Sequence, residues 1–262
     1  MPEAQIRYED GAGYERYMGD WSRRVGAVFL DWLAPPPGLK WIDVGCGNGA
    51  FTELLIERCA PTEVHGIDPS EAQLAFARTR PAARLAKFSR GDAKALQFQA
   101  DSFDAATMAL VIFFVSDPAK GVAEMARVVR PGGMVAAYAW DILGGGFTLE
   151  PIRVEMRAMG LTPVNPPSIE ASRIEAMDDL WTRAGLEAVE TRAITVQRTF
   201  ADFEDFWTTS LLGASIGPTV AAMPPADVEK LKVRVRHRLP GDASGPVTYG
   251  SRANAVKGRV PG

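Results

Sequence analysis

Between Leu39 and Trp140, short apolar runs alternate with amphipathic segments, the pattern of β-α units feeding a parallel sheet covered on both faces. "LKWIDVG" predicts a first strand, and Phe51, Leu54, Leu55 and Arg58 mark a helix from about Asn48 to Cys59. "TEVHGID" predicts the second strand. Ser70, with Gln73 three residues on, forms a capping box that opens a helix over "EAQLAFARTR". "ARLAKFSRGD" reads as a weaker third strand whose charges suit an edge. Phe103 to Val115 is apolar on both parities and predicts a central strand buried on two faces. Asp117 before Pro118 starts a helix that keeps Val122, Met125, Val128 and Val129 inward; Pro131-Gly132-Gly133 is expected to end it before a fifth strand, "MVAAYAW".

After Asp141 the pattern loosens into a stretch rich in Gly and Pro, expected to cap the carboxyl edge of the sheet. A helix in "SRIEAMDDLWTRAGL" and a strand "EAVETRAITVQRTF" resume the alternation. Helices over about 201 to 213 and 224 to 238 precede a last strand in "PVTYGSRANAVKG". Before the first strand, Tyr14, Tyr17, Trp21, Val25 and Phe29 recur at helical spacing and predict an amphipathic helix pair. The expected organisation is one domain over 1–262, with an N-terminal helical lid over 1–38, a core over 39–141, a cap insertion over 142–170 and a C-terminal part of the sheet over 171–262.

The apolar content of 47% in 262 residues supports a large core, and a net charge of -3 gives no global reason to expect nucleic acid. Two cysteines, Cys46 and Cys59, are too few for a disulfide framework and fit a reducing cytosol. With His65 and His237 as the only histidines, no metal site is expected. The opening "MPEAQIRYED" lacks signal-peptide regions, and no apolar run is long enough to span a bilayer; a cytoplasmic protein without a membrane partner is expected.

The chemistry centres on "DVGCGNGA", Asp43 to Ala50. Glycines between a strand and a helix let a ligand approach backbone N–H groups. Gly45-x-Gly47-x-x-Ala50 satisfies a loose dinucleotide pattern, and Gly45-x-Gly47-x-Gly49 equally satisfies a shorter nucleoside loop. Asp68, ending the second strand, can accept from a ribose diol under either reading. Gly91-Asp92-Ala93 discriminates: the acidic side chain can meet an adenine amino group and the Ala93 N–H a ring nitrogen.

Taken in order, "DVGCGNG", "GIDPSEAQL", "GDAKALQF", "DSFDAATMALVIFFVSDP" and "EMARVVRPGGMVAAYAWD" resemble the consecutive motifs of the class I S-adenosylmethionine-dependent methyltransferases, of the ubiquinone/menaquinone-biosynthesis-like or type 11 group. The resemblance is strong from Lys40 to about Asp141 and loose elsewhere. It implies an α/β, three-layer αβα Rossmann-like sheet of seven strands in order 3214576, the last antiparallel. It also implies S-adenosylmethionine as cofactor and S-adenosylhomocysteine as product. By matching position, Asp43 and the backbone of Gly45, Cys46 and Gly47 would hold the methionine part, Asp68 the ribose, Pro69 and Asp92-Ala93 the adenine, and Ala109 with Leu110 the methionine side. Tyr17 and Trp21 would cover the cofactor, with Arg23 or Arg24 as carboxylate partners.

Displacement at a sulfonium needs placement more than a base. Phe113 and Phe114 stand where many relatives carry histidine, so a histidine-assisted mechanism is not expected, and no catalytic residue is assigned. With Trp140, Phe147 and Arg153 they are the expected substrate pocket. The partner expected is a small-molecule acceptor with an oxygen, nitrogen or carbon nucleophile, for a monomer or homodimer. An NAD-linked oxidoreductase and a non-catalytic binding protein on the same fold stay open as alternatives.

Overall fold

The computed structural model describes residues 11–240 and 245–262. The first ten residues of the expected lid therefore lie outside the described residues. In chain order the strands are β1 (Lys40–Val44), β2 (Glu63–Asp68), β3 (Ala86–Arg90), β4 (Phe103–Ala109), β5 (Val129–Trp140), β6 (Glu187–Phe200) and β7 (Val247–Arg259). The helices are α1 (Gly11–Tyr14), α2 (Asp20–Leu33), α3 (Ala50–Cys59), α4 (Glu71–Ala77), α5 (Pro118–Val128), α6 (Glu150–Ala158), α7 (Ile174–Arg183), α8 (Phe203–Ser210), α9 (Gly217–Ala221) and α10 (Pro225–Arg238).

The seven strands form one sheet in the order β3-β2-β1-β4-β5-β7-β6, as the resemblance implied. β1 pairs in parallel with β2 and β4, and β7 runs antiparallel to both β5 and β6. Helices α2 and α3 pack together, as do α5 and α7, giving helical layers on the sheet. The inner strands are apolar on both parities because both faces are covered: Trp41, Ile42, Ala105, Ala106, Val135 and Ala136 are all fully buried. Ser70 caps α4 by accepting from the Gln73 N–H at 3.4 Å, and Asp117 caps α5 by accepting from the Lys120 N–H at 3.1 Å.

Three local expectations are corrected. The apolar run expected as one strand to Val115 stops at Ala109; Leu110 takes φ +62 and Ile112–Phe114 forms a 3₁₀ turn, which swings Phe113 and Phe114 over the end of the sheet. Pro131-Gly132-Gly133 does not end a helix: α5 stops at Val128 and the chain enters β5 at once, with Gly132 at φ +73 and the register shifting opposite Phe103 and Ala105. The N-terminal helix pair is one run in which α1 passes through a π-helical segment, Glu15–Gly19, into α2. The departures fall where the backbone is irregular, at the end of β4, at the register shift where β5 begins beside β4, and in the π-helical segment, and side-chain periodicity carries little information about backbone path there.

Candidate functional site

At the carboxyl end of β1 the chain turns into α3 through Gly45, Gly47 and Gly49, at φ +77, +52 and +78. These left-handed values suit glycine, and neighbours enforce the choice: a Cβ at Gly45 would stand 2.5 Å from the Val111 methyls. At Gly47 a Cβ would meet nothing within 4 Å, because that side opens to a cavity. The loop is clamped to β2. Both the Gly45 and Cys46 N–H groups donate to the Ile67 carbonyl, at 2.7 and 3.0 Å. The Gly47 N–H donates to Asp68 Oδ2 at 2.9 Å, while Asp68 Oδ1 accepts from the Ser70 N–H at 2.8 Å. Each carboxylate oxygen keeps a lone pair for a further donor. Burial raises the Asp68 pKa, opposed by the Ser70 and Gly47 hydrogen bonds.

Asp43, on β1, is fully buried. Its Oδ2 accepts from the Thr52 hydroxyl at 2.6 Å, and its Oδ1 has no partner. Burial pushes this carboxyl up to about 7, against the Thr52 hydrogen bond and with help from the nearby Asp68 charge. The same burial, with Asp43 and Asp68 adding to it, pushes the Cys46 thiol well above its ordinary range, so it is a protonated wall rather than a nucleophile.

A cavity of about 1330 Å³ spreads over these strand ends. Asp43, Gly45, Cys46, Gly47, Asp68, Pro69, Ala109 and Leu110 all line it, so eight of the expected cofactor positions converge. Asp92 and Ala93 do not. The Asp92 side chain is 57% exposed and caps its own turn, accepting from the Lys94 N–H at 2.9 Å; Arg90 and Ser116 line the wall instead.

Tyr17 and Trp21 also lie away from the cavity. Both are core residues, Tyr17 reaching the Thr148 hydroxyl at 3.5 Å and Trp21 meeting Trp140 edge-on at 6.0 Å between ring centres. Tyr14 and Ser22 line the cavity in their place. The π-helical segment between them carries the cause: five residues per bond rotate the helix against a 3.6-residue pattern, so the aromatic spacing misassigns the face. Arg23 pairs with Glu53 and Glu57, and Arg24 with Asp20, so neither faces the cavity.

The N-terminal helix is tied down by Arg80, a residue no motif had singled out. Its Nε donates to the Asn48 carbonyl at 2.6 Å, one terminal nitrogen to Glu53 at 3.0 Å and the other to Glu15. Glu15 also accepts from the Asn48 amide at 2.8 Å. The glycine loop and the helix over it are thus cross-linked through one largely buried guanidinium.

All five residues expected for the substrate pocket meet in a second, inner recess of about 30 Å³: Phe113, Phe114, Trp140, Phe147 and Arg153. Tyr14, Leu110, Phe114, Val164 and Pro166 line both spaces, so the recess opens from the larger cavity. The segment from Thr162 to Pro167 forms the far wall, where the cap was expected. Ser215 completes the recess from a stretch that carries no motif. His65, by contrast, bonds Glu63 at 2.8 Å and packs edge-on against Phe98 and Phe103, a structural setting.

Residues 42–137 match the model of a methyltransferase domain family, Methyltransf_11. A demethylmenaquinone methyltransferase of Staphylococcus aureus is 41% identical over 117 residues, which are 44% of this chain and 47% of that protein. An uncharacterised 37.1 kDa protein of a Streptomyces fradiae transposon is 36% identical over 131 residues, 47% of this chain and 37% of the relative. The matches thus span less than half the length of these curated relatives. Among solved structures, the YcgJ protein of a Bacillus species superposes with a TM-score of 0.62 at 17% identity, covering 91% of this chain and 98% of its own. Phosphoethanolamine N-methyltransferase 2 of Haemonchus contortus, solved with phosphomonomethylethanolamine and S-adenosylhomocysteine, superposes with a TM-score of 0.58 at 18% identity, covering 96% of this chain and 57% of its own. Residues 42–137 are therefore similar to a methyltransferase domain of the type 11 group, on a seven-stranded sheet with the fold of these solved structures.

Proposed function

We propose that the protein transfers a methyl group from S-adenosylmethionine to an oxygen, nitrogen or carbon atom of a small molecule. The observation that carries this reading is the pair of carboxylates at the ends of adjacent strands, Asp43 with a buried, unpartnered Oδ1 and Asp68 clamped to the Gly47 N–H, both lining one cavity. An orphaned buried acceptor calls for a donor, and a cationic one above all. The methionyl ammonium is such a donor, and Asp68 suits a ribose diol. Gly47 leaves open the space a side chain would fill. The residues present therefore fit this cofactor, and the match to a methyltransferase domain family runs against the dinucleotide reading of the loop.

When bound, S-adenosylmethionine supplies a methyl group on a sulfonium, already activated for displacement. The protein's part is to place and enclose. Asp43, Asp68 and the loop fix one reactant, and Leu110 and Phe114 stand at the passage between the cavity and the inner recess. Tyr14 and the Thr162–Pro167 segment line the same space. Orientation of this kind can supply several kcal/mol, about 7–11 in well-aligned intramolecular reactions, without a general base.

Calorimetric titration with S-adenosylhomocysteine tests the reading. Asp68→Ala is expected to weaken binding by ten-fold or more, and NADH to bind neither protein. An unchanged affinity in the variant would remove Asp68 from the site, and binding of NADH alone would overturn the assignment.

A further inference from the structure

The inner recess has an unusual complement of donors. Among the described residues, three of the buried polar atoms without a hydrogen-bond partner belong to residues lining it: Trp140 Nε1, Arg153 Nε and Ser215 Oγ. All three residues are at most 4% exposed. An indole N–H and a guanidinium N–H can only donate, and a hydroxyl can donate. Leaving such groups dry costs about 1–3 kcal/mol each, more where the group is charged. Apart from Tyr14 the rest of the wall is apolar, with Phe113, Phe147 and Leu110 contributing.

Arg153 is also short of negative charge. Its terminal nitrogens donate to neutral oxygens, the Val164 carbonyl at 3.2 Å and Asn165 Oδ1 at 2.5 Å. Its nearest carboxylate, Glu150, stands 3.9 Å from Nε and is shared with Arg157. Two cations around one anion leave a positive excess beside the recess. Its volume of about 30 Å³ is on the scale of one or two water molecules, enough for a small oxygen-bearing group and not for the body of a ligand. The body of a ligand must lie in the larger cavity, past Leu110 and Phe114, which line both spaces.

We propose that the methyl acceptor is an apolar or aromatic molecule bearing a carboxylate, and that this carboxylate enters the recess to be held by Trp140, Arg153 and Ser215. The inference rests on the methyl-transfer reading for the role of the ligand, and on the recess alone for its chemistry. A site built to satisfy buried donors discriminates strongly against an isostere that cannot accept in the same way.

The test uses the full chain saturated with S-adenosylhomocysteine, titrated calorimetrically with benzoate and 2-naphthoate and with the matching amides, benzamide and 2-naphthamide. At least one acid is expected to bind ten-fold or more tightly than its amide. Arg153→Met should bring that ratio within two-fold while S-adenosylhomocysteine affinity stays within two-fold of the parent. Trp140→Phe and Ser215→Ala, each keeping most of the packing, should each lower the ratio by three-fold or more, and they carry the test if Arg153→Met does not fold. No preference for either acid in the parent protein overturns the proposal, as does a preference that survives these variants. Failure of S-adenosylhomocysteine to bind would instead strike the methyl-transfer reading, and the acid–amide comparison in the ligand-free protein would still read the recess.

Discussion

Asp43 concentrates the physics of the site at one residue. Its carboxyl is raised from 3.8 to about 7 by burial, so the folded chain holds this proton more tightly than the unfolded one. A raised acid favours folding fully below the unfolded pKa, loses that contribution as pH rises from about 4 to about 7, and is level above. Asp43→Asn removes the titration. Thermal melts of ligand-free protein should therefore show the variant gaining on the parent between pH 5 and pH 8; a constant difference would contradict the assignment. The same group links binding to protons. A cation placed against Oδ1 lowers the pKa, so S-adenosylhomocysteine should release a proton near pH 6 in the parent and none through this group in Asp43→Asn, measured by calorimetry in buffers of different ionisation enthalpy.

At the scale of elements, the N-terminal helix matters both as structure and as cover. Tyr17, Met18 and Trp21 are buried in the core, so removal of residues 1 to 24 would strip several large side chains at a cost of about 3–5 kcal/mol for each aromatic. Such a truncation is expected to lower stability as much as binding. The sharper probe is Arg80→Met. It cuts the link among Glu15, Glu53 and the Asn48 carbonyl while leaving the core aromatics in place. Cofactor-product affinity should fall several-fold and limited proteolysis near Tyr14 should accelerate; unchanged proteolysis would mean that the helix is held by its buried face alone. The cap illustrates the same scale. Its Gly- and Pro-containing stretch stands out in the sequence only as a break in the alternation; that α6 buries Arg153 and that Thr162 to Pro167 line the cavity depend on packing against distant chain.

For the whole molecule, the site is a seam between layers: strand ends below, the N-terminal helix on one side and the cap on the other. A ligand that binds the native seam and not the unfolded chain stabilises by about 2.7 kcal/mol at a hundred times its Kd. For a chain of 262 residues that is expected to raise the Tm by roughly 5–10 °C, read by differential scanning fluorimetry with S-adenosylhomocysteine. No helix among the described residues is long and apolar enough to cross a membrane.

The β-α alternation from Leu39 to Trp140, the capping residues Ser70 and Asp117, and the glycine loop with Asp68 were legible in the sequence, because strand burial, helix caps and positive-φ turns are enforced within a few residues. The five aromatic and cationic residues of the recess were legible as candidates, but their convergence was not, since the 3₁₀ turn of Phe113 and Phe114, β5, the Phe147 loop and α6 supply them separately. Three things were decided by tertiary structure alone. The π-helical segment chose Tyr14 and Ser22 over Tyr17 and Trp21, because the helix face follows backbone hydrogen bonding that side-chain spacing does not report. Arg80 became a tie only when the turn after α4, the glycine loop and the π-helical segment met. Ser215 joined Trp140 and Arg153 across the cap, because which donors are left without partners is settled by what surrounds them, and surroundings are made by the fold.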